Sequence, residues 1–396
     1  MKEGWRYKKL GEVCETLNGL WKGKKPPFVN VGVIRNANFT KDFTLRFDNI
    51  EYLDVEERQY SKRKLQKGDL IVEKSGGSEK QPVGRAVLFD KENGEFSFSN
   101  FTSVLRIRDK NTFLCEFLYK YLLFIYKRGD TSAMQKATTG IHNIEFEKYL
   151  NIDIPCIPLS EQHSIVTRLD AAFSHIDALK ANAEKQLNEA RKLFQAELTE
   201  CMKPKEGWEE KKIKEVGEVI GGTTPSTTNP LFWGGDICWI SPAELHGEHY
   251  LYDSVKKITK EAVEAKSLKE LPIGTVILSS RAPIGKIAIN KVPMYCNQGF
   301  KCVVCKSELY NEYLYWWFYG KKEYLNSLGT GATFLEISKT VVENIIIPIP
   351  PLDTQQAIVS HLDSLSSTIR KLEELQQKTF AECDALKQAM LREVFE

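Results

Sequence analysis

The sequence predicts an α+β protein made as an internal repeat: two mixed α/β globular domains joined by two long antiparallel helices, which form a coiled-coil spacer with pseudo-two-fold symmetry. Three observations predict it. Two stretches without Gly or Pro, 160–202 and 353–395, each carry one apolar stripe at helical spacing. Both open on the same proline-rich phrase, and short motifs recur in the same order ahead of each. The expected division is a first globe over 1–156, a first helix over 157–203, a second globe over 204–350 and a second helix over 351–396.

In the first long stretch the stripe runs through Ile165, Leu169, Phe173, Ile176, Leu179, Ala183, Leu187, Ala190, Phe194 and Leu198. In the second it runs through Leu362, Leu365, Ile369, Leu372, Leu375, Phe380, Cys383, Leu386, Met390 and Val394. About 40 residues at ~1.5 Å each make a rod of roughly 60 Å. A rod with one narrow stripe cannot bury it against itself, so each rod is the other's expected partner. Leu169, Ile176, Leu187 and Phe194 are expected to face Leu362, Ile369, Leu372 and Leu386 across the seam. The introducing phrase Ile154-Pro155-Cys156-Ile157-Pro158-Leu159-Ser160-Glu161-Gln162 is answered by Ile347-Pro348-Ile349-Pro350-Pro351-Leu352-Asp353-Thr354-Gln355. Its prolines hold the chain extended, and Ser160 and Asp353 are the expected N-caps.

The repeat extends into the globes. Lys2-Glu3-Gly4-Trp5 recurs as Lys205-Glu206-Gly207-Trp208, and Lys67-Gly68-Asp69-Leu70-Ile71-Val72 answers Ile273-Gly274-Thr275-Val276-Ile277-Leu278. Val83-Gly84-Arg85-Ala86-Val87 answers Ile284-Gly285-Lys286-Ile287-Ala288, and Thr139-Gly140 answers Thr330-Gly331. Short apolar runs at 86–89, 104–107, 275–279 and 301–304 read as strands, and the aromatic-rich 115–126 and 312–319 as helices.

A length of 396 residues is too long for one ordinary domain, and 42% apolar with 27% charged residues is a globular composition. No apolar run reaches membrane-spanning length, so no membrane contact is expected. Met1-Lys2-Glu3-Gly4-Trp5 does not read as a signal peptide, and a cytoplasmic location is expected. Nine scattered cysteines fit a reducing compartment. Charge is shared unevenly: residues 1–156 hold 27 Lys/Arg against 21 Asp/Glu, whereas 157–202 hold 5 against 7 and 351–396 hold 5 against 8. Basic globes on acidic rods suggest a nucleic acid for the globes and a protein for the rods.

A search for catalytic chemistry returns little. There is no Gly-rich loop ending in Lys-Ser or Lys-Thr and no Gly-x-Gly-x-x-Gly, and Gly329-Thr330-Gly331 lacks the third glycine, so no cofactor is expected on this chain. Asn229-Pro230-Leu231-Phe232 has the form of the adenine N6-methyltransferase loop, with Asn229 against the amino group of an extruded base and Phe232 stacked on it. Without a cofactor loop or a counterpart in the first globe, it reads instead as a turn followed by aromatic packing. Cys302-Val303-Val304-Cys305 has half-site spacing for zinc, with His246 and His249 as conceivable completions. The first globe carries Ser103, Val104, Leu105 and Arg106 there, so a strand with buried thiols is the better reading, and no metal is expected.

Polar and basic loop residues remain. The first globe offers Lys22, Lys24, Lys25, Lys74, Ser75, Gln81 and Arg85, and also Arg35 and Asn36. The second offers Thr223, Thr224, Ser226, Ser279, Ser280, Arg281, Lys286, Asn297 and Gln298. Lys and Arg neutralise phosphates, while Arg, Asn and Gln can bond base edges in pairs.

With Gly207-Trp208, Gly221-Gly222-Thr223-Thr224-Pro225-Ser226, Trp239-Ile240-Ser241, Ser279-Ser280-Arg281-Ala282-Pro283-Ile284-Gly285, Asn297-Gln298-Gly299 and the phrase opening the second rod, the chain resembles the specificity subunit of type I restriction-modification systems over essentially its whole length. The first globe departs more, with Leu17-Asn18-Gly19-Leu20-Trp21 and Glu73-Lys74-Ser75-Gly76-Gly77 at the matching places. The resemblance implies two target recognition domains, each reading half of a split site in double-stranded DNA, and rods that fix the gap. Two readers on one face of B-DNA stand about one turn, ~34–36 Å, apart. It further implies a non-catalytic platform for two modification subunits, which supply S-adenosylmethionine chemistry, and two restriction subunits, which use ATP and Mg. Two rivals are a stand-alone adenine methyltransferase using Asn229 and Phe232, and a coiled-coil adaptor that never touches DNA.

Overall fold

The computed structural model describes residues 2, 4–20, 23–79, 81–138, 141–331 and 335–396. The chain divides into two compact units, Met1–Ala183 with Gln377–Glu396, and Glu184–Gln376. Four helices organise them: α1 (Cys115–Arg128), α2 (Leu159–Cys201), α3 (Asn311–Gly320) and α4 (Leu352–Phe395). The two long helices each contribute one part to each unit.

In the first unit an antiparallel sheet runs in the order Cys14–Asn18, Thr102–Ile107, Leu70–Glu73, Ala86–Leu88. Alternating side chains of its strands serve two cores, as period-two geometry requires. Leu70, Val72 and Leu105 pack with Phe117, Leu118 and Leu122 of α1, while Ile71, Val87 and Val104 pack with Ile34 and Phe98. A second sheet, Glu51–Glu56, Phe28–Ile34, Phe96–Phe98, pairs its last two strands in parallel.

The second unit repeats the plan. Its sheet order is Gly217–Gly221, Lys301–Cys305, Val276–Leu278, Ile287–Asn290, Tyr250–Leu251, the last joining in parallel. Val276, Leu278 and Val303 pack with Leu314 and Trp316 of α3, and Ile277, Ala288 and Cys302 pack with Ile220, Ile240 and Phe300. Lys256–Ile258, Trp233–Ile240 and Tyr295–Cys296 form the three-stranded partner sheet, again with one parallel pair.

Each globe is fixed to its following helix by one buried amide. Gln162 is fully buried; its Oε1 accepts from Leu114 N at 2.9 Å, and its Nε2 donates to Thr112 O at 2.8 Å and Ile157 O at 2.9 Å. Gln355 repeats this with Tyr310 N at 2.8 Å and with Glu308 O and Pro350 O at 2.9 Å each. Eight residues on, an aspartate makes the second tie: Asp170 pairs with Lys120 at 2.6 Å, and Asp363 accepts from Trp316 Nε1 at 2.9 Å. The helices begin at Leu159 and Leu352, so Ser160 and Asp353 lie inside the first turn and are not the N-caps; a carboxylate there still meets the positive end of the helix dipole.

The other end of each long helix is buried as well. Phe395 of α4 lies among Trp5, Phe117, Tyr121 and Phe124, with ring centroids 5.1–6.5 Å away. In the second unit Leu198 and Met202 enter the core, and the Phe194 ring meets Trp316 at 5.8 Å. Within the first unit the helices run antiparallel, with Lys180 on Asp384 at 2.6 Å and Lys387 on Asp177. Within the second, Arg191 meets Glu373 and His361 meets Glu197.

Of the expected seam, Leu169, Ile176, Leu187 and Leu362 are buried, and Phe194, Ile369 and Leu372 are half-buried. Leu386 is a correction, because it is 51% exposed. The buried side of α4 passes from Cys383 to Lys387 by a step of four, and Lys387 lays its stem towards the Phe173 ring, 5.2 Å from Nζ to the centroid. Leu179 and Leu375 of the stripe are exposed for the same reason: the drift of a 3.6-residue turn moves them off the buried side.

Replacing Gln355 by Leu leaves an amide N–H and two carbonyls without partners. The change is expected to cost about 2–4 kcal/mol in urea unfolding, whereas Ala at exposed Gln356 should cost under ~0.5 kcal/mol.

Candidate nucleic-acid interface

The loop residues stand on a backbone frame that both globes share. Glu73 N donates to Arg85 O at 2.8 Å, as Ser279 N does to Lys286 O at 2.8 Å. Lys74 N bonds Phe101 O at 2.9 Å, as Ser280 N bonds Gly299 O at 2.8 Å. Ile144 N reaches Lys74 O at 2.9 Å, as Ile337 N reaches Ser280 O at 2.8 Å. These bonds equate Glu73-Lys74-Ser75 with Ser279-Ser280-Arg281, and Arg85 with Lys286. A further match equates Leu20 N to Phe98 O at 2.8 Å with Thr223 N to Cys296 O at 2.9 Å. The glycine before each has no room for a side chain: a Cβ on Gly19 would stand 2.0 Å from Ser99 O, and one on Gly222 would stand 1.9 Å from Asn297 O.

In the second unit the frame brings several expected residues together. Thr224 Oγ1 donates to Gln298 Oε1, and the Asn297 side-chain oxygen accepts from Gly299 N at 2.8 Å. Arg281 is exposed, with its Nε 2.9 Å from Glu336 Oε2. Lys301 Nζ lies beneath it, 3.1 Å from Ser280 Oγ and 3.3 Å from Glu336 Oε1. Partial burial pushes the Glu336 carboxyl up, but hydrogen bonds from Arg281 and Lys301 outweigh this and hold it below the usual range. Thr223 is exposed and its carbonyl accepts from Trp239 Nε1 at 3.2 Å. Ser226 belongs to the next turn, where its hydroxyl pairs with that of Thr228 at 2.9 Å.

Three expected contacts are corrected. Ser279 and Ser280 are fully buried. The Ser279 hydroxyl donates to Pro283 O at 2.9 Å and accepts from Lys286 N at 2.8 Å, so it shapes the loop from inside. Lys286 aims its ammonium inward at Leu245 O and Pro242 O, at 2.8 and 3.1 Å. Both serines lie just after the strand Val276–Leu278 and Lys286 just before Ile287–Asn290, so each is held inward by its own hydrogen bonds where the loop joins the sheet.

In the first unit Arg85 is similarly committed, with its guanidinium on Glu73 at 2.7 and 3.1 Å. Gln81 is exposed, and with its amide turned to face Arg85 its oxygen accepts at 3.0 Å. Lys74 and Ser75 are half-buried at the loop, and Ser75 O accepts from Asn36 Nδ2 at 2.6 Å. Lys24 and Lys25 are exposed ahead of Phe28–Ile34. Lys22, Thr139 and Gly140 lie outside the described residues.

The frame also identifies residues that the sequence reading passed over. Ser99, Asn100 and Phe101 occupy the places of Asn297, Gln298 and Gly299, and Phe101 is 50% exposed. Asn36, already among the expected loop residues, holds a buried Oδ1 without a partner beside Ser75. The legible signal was Gly19, one step after Asn18 as Gly222 follows Gly221, but the lengths between such fixed points differ in the two globes.

The alternative chemistries can be placed as well. Asn229 caps the short turn Pro230–Phe232, accepting from Leu231 N at 3.1 Å, so its side chain is used in the turn. Cys302 and Cys305 face opposite sides of their strand, the first in one core and the second against the other. Burial pushes the Cys302 thiol well up and that of Cys305 to about 12. Their counterparts are 104–107, one residue further along than sequence matching set them, because Gly221 pairs with Lys301 as Asn18 pairs with Ser103. His249 stacks on Tyr315 at 3.8 Å and bonds Glu312 at 2.8 Å, so its ring is engaged by those partners.

A sequence profile described as the type I restriction modification DNA specificity domain matches residues 2–189 and 205–379, nearly the whole chain and once per globe. The chain belongs to this family. The MjaIX specificity subunit of Methanocaldococcus jannaschii is 42% identical over 187 residues, a match spanning 46% of this chain and 43% of that one. The EcoR124I/EcoR124II specificity subunit of Escherichia coli is 28% identical over 295 residues, 71% of each chain. Among solved structures, a chain from work on complex assembly and conformational transition of the type I R-M system superposes with a TM-score of 0.79 at 21% identity, covering 100% of this chain and 98% of that one. The HsdS subunit of Thermoanaerobacter tengcongensis superposes at 0.58 with 20% identity, covering 100% and 97%. The specificity-domain fold is therefore shared. Among the described residues, no helix is long and apolar enough to cross a membrane.

Because the Glu336 carboxyl is depressed in the folded protein, its contribution to stability is full above the unfolded-state value of roughly 4.3 and is lost as pH falls through the lower folded-state value. Glu336→Gln is expected to flatten the acid limb of a stability–pH profile in that window and leave the profile above pH ~6 parallel to wild type.

Proposed function

We propose that this chain is the sequence-reading, non-catalytic subunit of a cytoplasmic type I restriction-modification complex. Residues 1–156 and 204–350 each read one half of a split target in double-stranded DNA, and the helical segments 157–203 and 351–396 fix the gap between the halves. The observation that carries this reading is one hydrogen-bonded frame used twice under different loop tips. Such an arrangement keeps the geometry of reading constant while the recognised bases differ.

In the second globe Arg281, Gln298 and Asn297, with Thr223, Thr224 and Ser226 beside them, supply the groups for base edges and phosphates. In the first, Lys74, Ser75 and Gln81 take that part, with Lys24 and Lys25 on phosphates. Ser279, Ser280, Lys286 and Arg85 act by holding the loops. Two modification subunits dock on the acidic helices, bring S-adenosylmethionine and receive the extruded adenine in their own pocket; two restriction subunits add ATP- and Mg-dependent cleavage.

Arg281→Ala is expected to weaken binding to the cognate duplex by ~1–3 kcal/mol if Arg281 reads a base, or to lower the salt slope by about one if it holds a phosphate. Affinity and salt dependence both unchanged in a titration across salt concentrations would remove it from the interface.

Single-molecule mapping of N6-methyladenine in a host with and without the gene tests the whole reading. A motif of two short blocks with a constant gap, lost with the gene, is the expected result. An unchanged methylome in a host that expresses the modification subunit would count against the proposal.

A further inference from the structure

The second unit holds a side-chain cluster that DNA reading leaves unused. Glu197 and Cys201 stand one turn apart on α2 and share a face, and His361 reaches them from α4. His361 Nε2 is 3.0 Å from Glu197 Oε1, and Cys201 Sγ is 3.6 Å from the same oxygen. One ligating atom from each of the three lies within 4.8 Å of the others. In a tetrahedral zinc site, with bonds of about 2.0–2.3 Å, donor atoms stand roughly 3.3–3.6 Å apart, so modest side-chain rotation closes this set. Thiolate, imidazole and carboxylate together suit borderline-soft divalent ions, whereas Mg²⁺ and Ca²⁺ take oxygen. The Glu197 and His361 side chains are 46% and 49% exposed, which gives an ion an entry path and leaves room for water as a fourth ligand.

We propose that Glu197, Cys201 and His361 form a zinc-class divalent cation site that ties the end of α2 to the start of α4. The neighbouring Leu198 and Leu362 are fully buried, so the ion braces the helices at the level where they meet the globe. Binding exchanges the Glu197–His361 hydrogen bond for three metal–ligand bonds, leaves a neutral imidazole with its proton on Nδ1, and sends the Cys201 thiol proton to solvent, with no change of oxidation state. Because the thiol must lose its proton to ligate, affinity rises with pH. The site belongs to one repeat only: the residue matching His361 is Arg168, which cannot ligate.

The test uses the full chain, stripped with a chelator and titrated with Co²⁺ under reducing, air-free conditions. One equivalent is expected to raise a thiolate-to-cobalt charge-transfer band that Zn²⁺ then displaces. Cys201→Ser and His361→Ala should each abolish the band, and Cys115→Ser should retain it. Zn²⁺ should raise the thermal midpoint of wild type and of Cys115→Ser, but not that of Cys201→Ser. A folded wild-type chain that gives no thiolate band, or a band that survives in Cys201→Ser, overturns the proposal.

Discussion

The architecture depends on a buried side-chain amide at the entrance of each long helix. An amide offers an acceptor and two donors, and Gln162 and Gln355, both fully buried, each use all three on main-chain groups. Two of those partners lie just before α1 or α3, and the third lies in the proline-rich approach. One side chain thus sets where the globe's last large helix begins and how the long helix leaves the globe. The aspartate eight residues later then meets a lysine in one globe and a tryptophan in the other, at the same position of α1 and α3. The position is retained although the bond is ionic in one unit and neutral–ionic in the other.

Above this anchor, each globe separates what is constant from what varies. Main-chain hydrogen bonds carry the constant part, since they do not depend on side-chain identity. Close approaches at Gly19 and Gly222 exclude any Cβ and hold the loops against the next segment. The side chains that differ sit outside this frame, where Arg281 with Glu336 and Lys301 replaces Ser75 with Asn143 and Ser103. Half-buried Arg85 and Lys286 occupy the same frame position and are charges turned inward to hold loops, so a basic residue in a loop is not by that fact a phosphate contact.

The long helices follow another rule. Their ends are held by large apolar groups in the globes, Phe395 in one unit and Leu198 in the other. Their middles carry a thinner seam, in which Lys180 and Lys387 contribute stems as much as charge. Exposed ion pairs along it contribute little each. Orientation there comes from the buried leucines and the anchored ends.

The sequence by itself determined the repeat, the two long helices and the matching motifs of the globes, because 3.6-residue periodicity and recurring glycine and proline positions are local properties of the chain. It also supported the family resemblance that the profile match bears out. Only the tertiary structure decided strand order, the discontinuous units and which loop residues face outward, because these depend on partners far along the chain. Ser279 and Arg281 are two residues apart and both polar, yet one is buried and the other exposed. Leu386 and Lys387 likewise exchange the roles their hydropathy suggests, since a turn of 3.6 residues leaves a step of three or four undecided until a partner helix is in place. Glu197 and His361 are 164 positions apart, and nothing local to either predicts that they meet.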